Sequence, residues 1–321
     1  MDISVIIFFM FRSKWAYWKN CFVLGVLVLA LLAGCNNGGE PVLTSSPVPA
    51  DQTPQPPARP THIPTVTATP EPLALIVNGE GIPRREFEAS LLQLQQADQE
   101  LGIQRSEEER IRLVVNDLIE QTLLAQAARA SGFAVDDAQL ENRIQQLIAE
   151  TGDQQVFQDW MNQNGYEDLM VFRFALRRAM EAARQRDQLA ASLPAQVEQV
   201  KARQIVVRLR STADSLYRQL QAGADFATLA FQYDPLTGGD LGWFPRGFLT
   251  IPAVEEAAFS LQPGEYSNVI ESTLGYHIIQ VEERDESYPL SSEARLTLQE
   301  KLIQEWLNQQ RAAAQIEILY P

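Results

Sequence analysis

The chain has 321 residues, 45% hydrophobic and 21% charged, which leaves room for more than one domain and a sizeable core. Its formal charge of −15 carries no basic stripe to neutralise phosphates, so no nucleic-acid partner is expected. The only cysteines, Cys21 and Cys35, precede the globular region, and the only histidines, His62 and His277, are far apart. A disulfide framework, a thiolate metal site and an H-E-x-x-H cluster are thereby excluded, and no cofactor is required.

From the amino terminus, Arg12, Lys14 and Lys19 precede the apolar run Phe22–Ala33, a basic region followed by a hydrophobic stretch too short for a comfortable membrane span. The run ends in Leu32-Ala33-Gly34-Cys35, which resembles the bacterial lipobox. The resemblance implies a signal peptide over 1–34, lipid attachment at Cys35, and a location at the extracytoplasmic face of the cell membrane. The competing reading, an uncleaved anchor helix over about 5–33, is interrupted by those three charges. The apolar leader before the basic region points to Met10 as an alternative start. Residues 35–72 are rich in Pro, Thr, Ser, Asn and Gly and poor in large apolar side chains, a composition that predicts a disordered tether.

Residues 73–199 read as mostly helical. Ala74-Leu-Ile-Val-Asn-Gly is a short strand ending in a turn, followed by a helix start near Pro83. Between Glu107 and Ala130, apolar positions at Ile111, Val114, Val115, Leu118 and Ile119 share one helical face. Asp136 and Gln139 form a capping-box pattern for the next helix, and a long pattern from Glu167 to about Ser192 stops before Pro194.

At Val200 the pattern changes. Residues 200–284 predict strand, two helices, strand, helix and strand, a small sheet wrapped by helices. In 285–321 a helix over Glu293–Ala314 is followed by the strand-like Gln315–Tyr320, which needs a partner, as does the strand at Leu73–Val77. The two are expected to pair. The fold class is therefore α+β: a mostly helical domain built from both chain ends, with the small sheet domain inserted.

Three ordered blocks carry a resemblance: Gly238-Gly-Asp-Leu-Gly-Trp-Phe-Pro-Arg-Gly, Pro252-Ala-Val-Glu-Glu-Ala-Ala-Phe-Ser-Leu-Gln-Pro-Gly-Glu and Gly275-Tyr-His-Ile-Ile-Gln-Val. Together they resemble the parvulin family of peptidyl-prolyl isomerases. Val77-Asn-Gly-Glu-Gly-Ile-Pro-Arg-Arg-Glu-Phe is similar to the opening of PrsA- and SurA-type chaperone domains, exported foldases of which PrsA is lipid-anchored. The resemblance implies isomerisation of X-Pro bonds in unfolded or newly exported polypeptides, with a chaperone domain attached. It places His277 on the family's second histidine and Asp234 where the family carries Cys or Asp beside the bound amide. Leu249 and Val254 fall about where a pocket Met and Phe stand, supported by Phe259. Gln204 occupies the place of the first histidine of a paired-histidine network. Glutamine donates and accepts hydrogen bonds but cannot change charge. Two readings follow: an active or weak isomerase, and an inactive parvulin-fold holdase.

Overall fold

The computed structural model describes residues 71–320. The segments expected to be a signal peptide (1–34) and a tether (35–72), Cys35 included, lie outside the described residues except for residues 71 and 72. The chain divides into two units, and the architecture below belongs to the one containing Pro72–Pro321.

Strand β1 (Leu73–Val77) turns through Asn78 and Gly79, both at positive φ, into β2 (Glu80–Pro83). Asparagine and glycine tolerate that backbone, which matches the twist of a tight hairpin. The other edge of β1 pairs antiparallel with β7 (Ile316–Ile318), in the order β2-β1-β7. The predicted pairing of the two chain ends is thus present.

Five helices follow: α1 (Arg84–Leu101), α2 (Glu107–Ala130), α3 (Asp137–Thr151), α4 (Gln154–Gln163) and α5 (Leu169–Ser192). Ser106, Asp136, Asp153 and Asp168 cap four of them through side-chain oxygens, and Asp136 with Gln139 completes the capping box. One apolar cluster joins β1 and β2 to α1 and α2 through Leu75, Ile82, Phe87 and Leu118; a second joins α3, α4 and α5 through Phe157, Trp160 and Phe172. The last helix, α9 (Ser292–Ala313), sets Leu307 against Leu124 of α2 and Ala182 of α5.

Between α5 and α9 lies a four-stranded antiparallel sheet in the order β4-β3-β6-β5: β3 (Gln196–Val207), β4 (Asp240–Pro245), β5 (Ile270–Ser272) and β6 (Gly275–Pro289). Helices α6 (Arg210–Gln221) and α7 (Phe226–Tyr233) cover the face of Ile205, Val207 and Ile278. Helix α8 (Pro252–Ser260) covers the opposite face, with Val200, Ala202, Ile279 and Val281. Alternation along the strands therefore assigns Gln204, Val206 and His277 to the α8 face.

Strand β3 begins five residues before the predicted run Lys201–Leu209 and ends two residues short of it, and β6 continues eight residues past the predicted Gly275–Val281. The extension carries charges where a half-buried strand would carry apolar residues. Cross-strand pairs hold it: Lys201 to Glu283 at 2.9 Å, Arg203 to Glu282 at 3.0 Å and Arg284 to Glu198 at 3.0 Å. Among the described residues no helix is long and apolar enough to cross a membrane.

Candidate functional site

The site grows from one backbone contact between β3 and the turn before β4. Gln204 donates its N–H to the carbonyl of Gly239 at 2.8 Å, fixing turn to strand. Gly239 has φ +71°, and a Cβ there would overlap the Gln204 carbonyl oxygen, so only glycine fits.

The side chain of Gln204 faces the same surface as His277. His277 Nδ1 lies 3.2 Å from Gln204 Oε1, and its Nε2 lies 2.7 Å from Ser272 Oγ. An amide oxygen only accepts, so Nδ1 carries the proton and Nε2 accepts from the serine hydroxyl. Ser272 Oγ in turn accepts from the Leu274 N–H at 3.0 Å. The result is a continuous chain of donors and acceptors that engages both ring nitrogens of one neutral imidazole. Burial pushes the His277 pKa below its ordinary value.

The unfolded chain binds that proton more readily than the folded one. The stability this residue contributes is therefore present above about pH 6.5 and is lost as the pH falls toward the lower folded pKa. Urea unfolding followed by circular dichroism is expected to give a lower midpoint at pH 5.5 than at pH 7.5. His277→Gln should flatten that dependence; an unchanged slope would show that another group dominates it.

Asp234 caps the end of α7, and its carboxylate faces its own loop. It accepts from the N–H groups of Leu236 and Thr237, both at 3.2 Å, from Gly239 N–H at 3.3 Å, and from the Thr237 hydroxyl. The Thr237 hydroxyl, followed by these backbone donors, holds its pKa below the usual carboxylate range. Asp234 thus stays anionic and staples the loop 234–239.

Gln204, Val206, Ala230, Tyr233, Asp234 and Leu241 line a cavity of about 300 Å³. Its wall is part apolar and part polar, and Gln204 links it to the buried His277. Leu249, Val254 and Phe259 lie elsewhere on that face. Val254 and Phe259 are buried in the cluster between sheet and α8, with Leu249 packed against it. Arg246 stands over the Phe259 ring at 4.2 Å, and Glu255 accepts from the Leu249 N–H at 2.9 Å. The structure thus brings Gln204 and Asp234 to one cavity with His277 beneath, and sets the other three apart from its lining.

Ser272 is the member of the network that sequence reading did not single out. Its signal is a tight turn: Ser272 pairs with Gly275 and Ile270 with His277, which returns a hydroxyl to the histidine five residues on. Tyr233 and Leu241 also line the cavity, each next to or within a motif that the sequence displays without marking these side chains as lining.

Residues 192–285 match the family described as PPIC-type PPIase domain, and residues 65–170 match the SurA-like N-terminal domain. A foldase protein PrsA of Caldanaerobacter subterraneus is 33% identical over 181 residues, covering 53% of this chain and 56% of that protein. A chaperone SurA of Methylobacillus flagellatus is 34% identical over 147 residues, covering 39% of this chain and 33% of that protein. The chain thus spans just over half of the first relative and a third of the second. The crystal structure of the peptidylprolyl isomerase PrsA from Bacillus cereus is 21% identical, with a TM-score of 0.42 over 73% of this chain and 84% of that one.

Proposed function

We infer that this chain, which joins a PPIC-type PPIase domain to a SurA-like N-terminal domain, is a foldase that rotates X-Pro bonds in unfolded polypeptides. One observation carries the reading: within the matched region, the Gln204–His277–Ser272 hydrogen-bond chain reaches, through Gln204, a cavity large enough for a proline ring. Rotation about an X-Pro bond breaks amide resonance, and the uncatalysed barrier is about 18–20 kcal/mol. The twisted amide has lost charge separation, so an apolar wall favours it, while the Gln204 side chain steers the polar atoms. Lowering the barrier by about 4 kcal/mol gives roughly a thousandfold. No nucleophile and no strong acid is needed, and a neutral His277 suits that chemistry.

NMR exchange spectroscopy on X-Pro peptides with the full chain is the direct test, and a rate equal to that in buffer would sink the enzymatic reading. Gln204→His, which supplies the second imidazole of a paired network, is expected to raise kcat/KM about tenfold, near 1.4 kcal/mol. No gain with the fold intact would move the limit to the Asp234 loop.

A second reading, a holdase with little isomerase activity, is favoured by Gln204 itself and by the exposed Leu169, Met170 and Phe174 at the start of α5. It predicts that the full chain suppresses aggregation of an unfolded client, and that Gln204→Ala leaves this undiminished.

The helical domain is assigned to 73–199 and 285–321, and the isomerase domain to 200–284. Leu32-Ala33-Gly34-Cys35 supports lipid attachment at Cys35 and placement at the extracytoplasmic membrane face, where newly exported chains are the clients. Cys35→Ser is expected to move the protein from the membrane fraction to the soluble one. Unchanged fractionation would remove the anchor from this reading.

A further inference from the structure

The lip of the cavity holds an apolar side chain that folding does not require. Leu236 is 95% exposed, more than any other large apolar residue among those described, and Phe231, five positions before it, is 58% exposed. Helix α7 has already placed Phe226, Leu229 and Ala230 in the core, so Phe231 is surplus to its packing. The Phe231 ring lies against the loop, since a Cβ built on Gly238 would sit 3.6 Å from Phe231 Cδ2.

Isolated apolar side chains on a surface need no explanation. Leu236 differs in two respects. The loop is stapled by the Asp234 carboxylate through the N–H of Leu236 itself and two further backbone donors, so Leu236 is held outward. It also stands between Asp234 and Thr237, both of which line the cavity. A polypeptide whose proline enters that cavity must carry the next side chain past this lip, since consecutive Cα atoms are about 3.8 Å apart.

We propose that Leu236, with Phe231, forms a subsite that takes an aliphatic or aromatic side chain next to the proline of a client. The proposal rests on the isomerase reading above and adds a selectivity to it. Two carboxylates, Asp234 and Asp240, line the same cavity. The Asp234 carboxylate is held in its anionic form by its loop donors, so an acidic residue beside the proline meets like charge.

The test uses the full chain with peptide series in which the residue before or after proline is Leu, Phe, Ala or Glu. NMR exchange gives kcat/KM, and peptide titration gives affinity. For the wild-type protein, Leu and Phe peptides are expected to exceed Ala about tenfold in one of the two series, with Glu the poorest. Leu236→Ser should bring the Leu-to-Ala ratio close to one, chiefly through KM. Leu209→Ser, at another exposed leucine, should preserve it. A wild-type ratio near one, or a ratio that survives Leu236→Ser, would overturn the proposal. If the wild-type protein binds Leu peptides through Leu236 but turns none over, the isomerase reading fails and the subsite stands.

Discussion

Gly239→Ala is expected to lower the stability of the sheet domain by about 3 kcal/mol, roughly 1–2 from a left-handed backbone on an L-residue and the rest from the displaced hydrogen bond. The added Cβ would meet the Gln204 carbonyl oxygen, and neither backbone can yield without breaking the 2.8 Å bond from Gln204 N–H to the Gly239 carbonyl. Gly242 provides the control: its φ of +63° is similar, yet a Cβ there meets nothing within 4 Å. Gly242→Ala should therefore cost only the backbone strain, about 1–2 kcal/mol. Urea unfolding of both variants isolates the overlap as their difference. Equal costs would mean that turn and strand can separate freely. Moving Gln204 also removes its hold on His277, so any X-Pro exchange activity should fall further in Gly239→Ala than in Gly242→Ala.

The second large effect is expected in the helical domain, where Arg178 of α5 and Glu86 of α1 form an ion pair with side chains 6% and 2% exposed. Burial lowers the Arg178 pKa to about 10, which still leaves it charged at neutral pH. Glu86 Oε2 and Arg178 Nε have no hydrogen-bond partner among the described residues, so the pair is incompletely satisfied. Glu86→Ala abandons a buried cation, a change that typically costs about 3–5 kcal/mol. Glu80 and Glu181 also act on Arg178 and should hold the loss near the lower bound. Replacing both partners, Glu86→Leu with Arg178→Met, is expected to restore the wild-type unfolding midpoint or exceed it, because two desolvated charges leave together. A single-variant cost below about 1 kcal/mol would show that water reaches the pair.

The elements most legible in the sequence were those in which one local rule acts alone. The face of Val114, Val115, Leu118 and Ile119 defined α2, and the reciprocal side chains of Asp136 and Gln139 marked the start of α3. The β1–β7 pairing followed from a different argument, that two solitary strands each required a partner. The extension of β6 is not legible in the sequence because its partners are ionic and lie on β3, some eighty positions away. Helix α4 was submerged in a region read only as helical. At the site, Gln204, Asp234 and His277 stood out by motif, but the inward turn of the Asp234 carboxylate depends on loop donors that no spacing encodes. The burial of Val254 and Phe259 is likewise a matter of which way α8 rolls on the sheet. Ser272 required the register of a three-residue strand.

The hydrogen bond from Gln315 N–H to Asn78 Oδ1 joins residues 237 positions apart, alongside the pairing of β1 with β7. During synthesis, β1 and the helices after it are made long before the strand that completes their sheet. The inserted sheet, whose four strands pair only with one another, is complete once Pro289 is made and can form while the surrounding domain still waits. Closing so long a loop costs little more than closing one of half the length, since the penalty grows only logarithmically. It does impose an order in time: the helical domain remains open along one edge of β1 until residues 316–318 arrive.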